Sequence, residues 1–431
     1  MIEKNSKKLI NAWCSYDAAN SVYNLIITSV LFPIYYQAVT KRAFGGDIVS
    51  IFGLHLKNTV LYDFTIAIGY AFIIILTPLL SGIADVGGYR KRFMIIFTSL
   101  GALSCSCLYF FDGYNLLFGL ILIALAVIGW AGSFVYYNSF LPIIATPDRH
   151  NSISARGFAW GYMGSMILFL FNIITIETYQ FWGFSEKLEA VRFSFLLVGI
   201  WWIGVAQIAF FYLKEYKGEF TFKTHAFAKG FHEIGIVFKA VFRQRIMNLF
   251  LVSFLFLSLG VLTVMLVAAL FGSVVLGITG SKLIITVFLI QILGVGGSYL
   301  FAWVSNTLGN FTSLLIMLGI WVAICISAYF IQTEQQFYVL AGFVGLVMGG
   351  IQSQARATYA KLIPENTTDT ASYFTFYDVT EKIGIVLGMF SFGLIEHFTG
   401  NMRNSVVLLS VYFVISFIIL FYALMKKKLK I

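Results

Sequence analysis

Apolar runs of about twenty residues alternate along this chain with short polar gaps, and the pattern recurs about twelve times. A hydrocarbon layer about 30 Å thick is crossed by about 20 residues of helix. Leu116 to Val135, Phe193 to Leu213 and Val406 to Leu424 each reach that length. Backbone inside lipid must satisfy its own hydrogen bonds, and no segment alternates with strand period, so helices are the predicted spanning form. The predicted spans are Trp13 to Gln37, Leu61 to Ala84, Phe93 to Phe111, Asn115 to Asn138, Gly157 to Thr175, Arg192 to Leu213, Ile246 to Phe271, Lys282 to Trp303, Thr312 to Ile331, Phe337 to Tyr359, Ser372 to His397 and Asn404 to Met425. The fold class expected is an all-α integral membrane protein.

The longest polar stretch, Lys214 to Arg245, has six spans before it and six after. This divides the chain into a first bundle at 1–213, a basic connector at 214–245 and a second bundle at 246–431, an internal repeat of the kind seen in secondary transporters. The halves echo each other: Asp85 with Gly88 after the second span recurs as Asn306 with Gly309 after the eighth, and Leu141-Pro142 recurs as Ile363-Pro364. Inside the connector, Phe227, Phe231, Ile234, Phe238 and Val241 follow helical spacing among Lys229, His232, Lys239 and Arg243. The pattern fits either an amphipathic helix lying on a leaflet or a solvated linker.

Composition agrees with the spans: 59% of residues are hydrophobic and 11% charged, against about 25% charged in soluble domains. The formal charge of +10 reflects basic residues at helix ends, which argues for membrane orientation rather than nucleic-acid binding. Of the 29 basic residues, 21 fall on the side of the two termini and seven on the other, with Lys382 inside a span. The asymmetry predicts a multi-pass protein of the plasma or inner membrane with both termini cytoplasmic. The first span is too long and too polar at Asp17 for a cleaved leader. Cys14, Cys105, Cys107 and Cys325 show no metal-like spacing. The histidines are scattered and no glycine-rich phosphate loop is present, so the reading is neither an enzyme nor a nucleotide-driven pump, with no cofactor.

Function is then sought in polar residues at depth, because a charge inside a span costs at least about 2.5 kcal/mol on insertion scales. Tyr16, Asp17, Asn20, Tyr23 and Asn24 form one polar stripe on the first span. The stripe either lines a transport path or ties helices together. Asp378, Glu381 and Lys382 share a face of the eleventh span and carry one net negative charge. That trio is either a proton-exchanging site or a structural ion triad. Arg156 opens the fifth span and Arg356 closes the tenth. Each is either a partner for Asp17, Asp85, Asp378 or Glu381 in a cytoplasmic gate, or a cation snorkelling at a helix end.

Ser81-Gly82-Ile83-Ala84-Asp85-Val86-Gly87-Gly88-Tyr89-Arg90-Lys91 resembles the signature loop of the major facilitator superfamily, with its acid, glycine and basic cluster; Val86 and Ser81 depart from the common pattern. Tyr16-Asp17-Ala18-Ala19-Asn20-Ser21, Arg156-Gly157-Phe158-Ala159-Trp160-Gly161-Tyr162, Gly349-Gly350-Ile351-Gln352-Ser353-Gln354-Ala355-Arg356 and Phe376-Tyr377-Asp378 are similar to the branch of autophagy-related vacuolar amino-acid effluxers and their bacterial relatives. The resemblance implies twelve helices in two pseudo-symmetric six-helix bundles and secondary transport. It also implies a gate at the signature loop, with Asp85 and Arg90 joining Arg156 and Arg356. The expected partners are a small polar solute, protons and the bilayer, for a monomer. Amino acids or short peptides lead as solutes. Sugars, cell-wall fragments or a non-transporting receptor role are the alternatives.

Overall fold

The computed structural model describes residues 4–51, 53–214, 226–278, 281–365 and 367–428. A first spanning helix, α1, runs Lys7–Phe44, followed by a two-stranded hairpin, β1 Ile48–Ile51 with β2 Leu54–Lys57. Ile48 pairs with Lys57 in antiparallel register. Then come α2 Asn58–Gly87, α3 Arg90–Cys107, α4 Leu116–Ser139, α5 His150–Glu177 and α6 Lys187–Tyr212. The connector contributes α7, Ala226–Arg243. The second half holds α8 Arg245–Leu276, α9 Ser281–Leu308, α10 Asn310–Phe330, α11 Glu334–Leu362, α12 Thr370–Thr399 and α13 Met402–Lys428.

Eleven of the described helices are long and apolar enough to cross a membrane. The twelfth, α12, carries Asp378, Glu381 and Lys382; its 30 residues extend about 45 Å. The predicted spans all lie within these helices or reach just past an end, and most of the helices run several residues longer. The extra turns are polar or glycine-capped ends that hydropathy alone trims. An outer belt of exposed apolar side chains, Phe64, Ile68, Phe72 and Ile75 on α2 among them, is what a hydrocarbon solvent requires.

The packing repeats between halves. In the first, α1 packs on α5 and α6, α2 on α4, and α3 on α4 and α6; in the second, α8 packs on α12 and α13, α9 on α11, and α10 on α11 and α13. Across the divide α2 meets α12 and α5 meets α9, again equivalent pairs. The echo of Gly88 and Gly309 has a conformational basis: both sit at positive φ, +68° and +86°, just past the ends of α2 and α9. These are the backbones that glycine accepts without penalty.

Within the connector, α7 lies along α2 with Val237 and Val241 buried, while Ile236, Phe238 and Phe242 stay exposed. A helix is therefore formed here, and of the predicted apolar face Val241 packs inward while Phe238 is exposed. The side chains of Phe227, Lys229 and Phe231 lie outside the described residues.

Close approach of α9 to α11 depends on small residues. A Cβ added at Gly297 would lie 1.8 Å from the carbonyl oxygen of Leu346, whereas one at Gly296 would meet nothing within 4 Å. Backbone cannot yield at such a contact as a flexible side chain can. We therefore expect Gly297→Ala to lower the thermal midpoint and monodisperse yield of the purified protein, and Gly296→Ala to leave both within error. Fluorescence-detected size-exclusion of heated samples reads the difference.

Candidate functional site

With an even number of spans, both termini, the starts of α3, α5, α10 and α12, and the ends of α2, α9 and α11 share one face of the bundle, here the terminal face. The deepest polar contact near that face joins the two halves. Asp17, on α1, is 2% exposed, and Arg356, on α11, is fully buried. Arg356 Nη2 donates to Asp17 Oδ2 over 3.1 Å. The Tyr137 hydroxyl donates to the same oxygen over 2.6 Å. The rest of the guanidinium is satisfied by Ser154, through its hydroxyl and its carbonyl, both at 2.9 Å, and by Asn138 Oδ1 at 3.4 Å. Its faces lie on the rings of Phe158 and Trp13, 4.2 and 4.7 Å from their centroids. Gly157 makes the room, since a Cβ there would lie 2.4 Å from Asp17 Oδ2. A charge pair removed from water holds when each remaining donor and acceptor is also met, and here nearly all of them are.

Nearer the terminal face, Asp85 at the end of α2 performs a second crossing. Its Oδ1 accepts from Arg90 Nε at 2.6 Å and from the Ala371 N–H at 3.2 Å, and its Oδ2 accepts from the Ser372 N–H at 2.7 Å. Those amides belong to the first turn of α12, whose own N-cap residue, Asp369, makes no side-chain cap. Asp85 thus caps a helix of the other half, where free N–H groups and the helix dipole favour a carboxylate. Arg90 Nη2 also donates to the carbonyl of Thr368. At the equivalent place in the second half, Asn306 accepts from Asn151 at 2.8 Å, in the first turn of α5, so the two echoed loops reach reciprocally across the molecule.

The third group lies on α12. Lys382 Nζ donates to Asp378 Oδ1 at 2.6 Å and Glu381 Oε2 at 2.7 Å, and stands over the ring of Trp130 at 5.1 Å. Lys382 and Asp378 are buried; Glu381 keeps 18% of its side chain exposed.

Between the halves lies a cavity of about 1350 Å³, its open mouth included. Asp17, Asn24, Ser29, Trp130, Phe134 and Tyr162 line it from the first half, and Met265, Gln291, Met348, Gln352 and Glu381 from the second. It extends away from the terminal face as far as Leu283 and Thr286, in the first turns of α9. Alongside it, α1 turns π-helical over Tyr23–Leu31, and the Ser29 hydroxyl donates to the Asn24 carbonyl five residues back. Such a widened turn re-aims side chains beside functional cavities. Among the described residues, every hydrogen bond between the halves lies toward the terminal face; at the other end the Phe169 and Phe288 rings meet at 5.4 Å.

Of the residues singled out by sequence, Asp17, Asn24 and Glu381 face the cavity, while Asp378 and Lys382 stand behind Glu381. Tyr16 and Asn20 do not line it: Tyr16 is bonded to Thr98 at 2.6 Å inside the first half, and Asn20 is fully buried. Tyr16 faces α3 and α4, and a π-helical turn begins at Tyr23 between Asn20 and Asn24, so the stripe is split between core and cavity. Arg356 meets Asp17 across the halves, whereas Asp85 meets Arg90 within the first half and reaches the second through the α12 amides. Arg156 instead stands 5.5 Å over the ring of Trp160 on its own helix and makes no ion pair among the described residues. Sequence reading missed Tyr137, Asn138 and Ser154. The polar run Tyr136-Tyr137-Asn138-Ser139 ending a span was the available signal.

Removing one partner of a buried ion pair strands the other, at about 3 to 5 kcal/mol. Arg356→Gln should therefore lower the melting midpoint more than the double variant Asp17→Asn with Arg356→Gln, measured by differential scanning fluorimetry in one detergent. Additive losses would mean the two groups do not interact.

The family model of "Vacuole effluxer Atg22 like" proteins matches residues 5–430. The MFS-type transporter YxiO of Bacillus subtilis is 30% identical over 97% of this chain and 95% of its own. Autophagy-related protein 22 of Yarrowia lipolytica is 23% identical over 84% and 75% respectively. Among solved structures, a bacterial homologue of the iron transporter ferroportin in its outward-facing state covers 96% of this chain with a TM-score of 0.68 at 13% identity. The MFS transporter FucP in the outward conformation covers 96% with a TM-score of 0.68 at 14% identity. At such identities these two establish the fold alone, twelve helices in two bundles. By family model and by sequence, this chain belongs to the Atg22-like branch of the major facilitator superfamily of transporters.

Proposed function

We propose that the protein is a secondary active transporter of a small polar solute, working by alternating access and coupled to protons, with amino acids or short peptides as its solutes. One observation carries the reading: a cavity shared by both halves is shut off from the terminal face by buried polar contacts that join those halves. Taking the terminal face as cytoplasmic, on the distribution of basic residues, this is the state closed to the cytoplasm. Opening that face must part Asp17 from Arg356 and Asp85 from the start of α12. The molecule then has two discrete arrangements, and a solute or proton that binds them unequally shifts their balance.

Protons enter the reading through the same groups. Neutralising Asp17 removes the charge that holds Arg356 across the divide. Neutralising Glu381 or Asp378 changes the charge of the triad beside the cavity. Either event alters what the halves gain by staying together at that face.

The lining also argues about the solute. Leu262, Met265, Leu266, Ile290, Val344 and Met348 make one wall largely apolar. A sugar ring needs hydrogen-bond partners all round, so a solute with a polar end and an apolar body fits better.

The test is flux in proteoliposomes. With a panel of radiolabelled amino acids and dipeptides, we expect at least one to accumulate under an imposed pH gradient and to drive a pH change of its own. Asp17→Asn and Asp378→Asn should each cut that flux about tenfold, equivalent to about 1.4 kcal/mol of lost coupling. Flux indifferent to the gradient would remove proton coupling. No flux for any member of a broad panel would leave a receptor.

A further inference from the structure

The charge around the cavity is unbalanced in one direction. Three carboxylates, Asp17, Asp378 and Glu381, are held by two cations, Arg356 and Lys382, and both cations are fully buried. Among the described residues that line the cavity there is no lysine, arginine or histidine. Glu381 is the carboxylate with exposed surface, and the Trp130 and Phe134 rings beside it line the same space. Those rings already attract an ammonium, that of Lys382, at 5.1 and 5.9 Å from their centroids. Aromatic faces beside a carboxylate are the surroundings that a desolvated ammonium prefers.

A second observation points to a ligand. The Tyr162 hydroxyl, on a ring 8% exposed that lines the cavity, has no hydrogen-bond partner among the described residues. Buried hydroxyls are normally paired, so this one, which can accept as well as donate, lacks the polar partner that an occupant of the cavity would bring. Gln291, 7% exposed, lines the same space.

We infer that the cavity binds the protonated amine of an amphipathic solute, with Glu381 as its counter-ion and the Trp130 and Phe134 faces around it. This rests on the transport reading and narrows it: the ammonium, not a carboxylate, is the recognised pole. When the solute enters, Glu381 exchanges its contact with Lys382 for one with the solute, and Lys382 keeps Asp378. The apolar body lies against Met265, Ile290 and Val344, where a small adjoining apolar cavity shares Ala268, Ile290 and Val344.

The experiment uses the purified full chain and three probes: phenethylamine, phenylalanine and N-acetylphenylalanine, which keeps the ring and carboxylate but has no ammonium. Titration by thermal shift should show stabilisation by the first two and none by the third. Glu381→Gln should weaken phenethylamine about tenfold or more, Glu381→Asp less, and Glu396→Gln, near the far end of α12, not at all. Should Glu381→Gln not fold, the ranking of the three probes on the native chain decides. N-acetylphenylalanine binding as well as phenethylamine, no binding of either amine, or phenethylamine binding unchanged in folded Glu381→Gln would each overturn the inference. Flux of some solute without amine binding would sink this inference alone, whereas absence of flux for every solute would sink the transport reading.

Discussion

A guanidinium fully removed from water has to be held on every side, and Arg356 is held by groups from the opposite half of the molecule. Asp17, Tyr137, Asn138 and Ser154 surround the ion pair from α1, α4 and α5, while the arginine itself arrives on α11. Because the partners belong to different bundles, its burial requires those bundles to be together at this depth. A dry, low-dielectric setting makes the pair strong when closed and prohibitive to half-open, the condition for two states rather than a continuum.

The helix cap at Asp85 follows the same logic with a different interaction. The start of α12 leaves its first-turn amides to a carboxylate on α2, so that turn is complete when the halves meet. Its counterpart on the other side of the pseudo-twofold uses neutral groups, Asn151 with Asn306 and Asn310. Charge is thus concentrated in one of two equivalent contacts. Glu381 adds an asymmetry of its own, placing the exposed carboxylate of the triad on the second half, facing the aromatic rings of the first.

Much of this architecture was legible in the sequence because it follows from solvent. Span length and the basic bias are imposed by the bilayer, the six-plus-six layout shows as one long polar connector between two sets of spans, and the echo of Gly88 in Gly309 reflects two positive-φ turns. Asp17, Glu381 and Arg356 stood out because charge is rare at depth. What pairs with what was less legible. Arg156 and Arg356 look alike as sequence, yet the second reaches Asp17, and Gly157 leaves room for the pair, since a Cβ there would lie 2.4 Å from Asp17 Oδ2 and 2.9 Å from Arg356 Nη2. Tyr16 and Asn20 share a helical stripe with Asn24, but Tyr16 is turned to Thr98 and Tyr137 inside the first half, Asn20 is buried, and Asn24, inside the π-helical turn, lines the cavity. Tyr137, in a polar run at a span end, and Ser154 carry no charge, and it is the fold that places them beside one.

The central claim is that the Asp17–Arg356 pair holds one face of the molecule shut and that releasing it opens that face as the other closes. Spin labels on a chain freed of its four cysteines can measure both faces at once, at Asp148 with Glu365 on the terminal face and at Tyr114 with Gln332 on the opposite one. Pulsed dipolar distances should show, on Arg356→Gln, the first pair lengthening while the second shortens. Both distances unchanged, or both lengthening together, would contradict it.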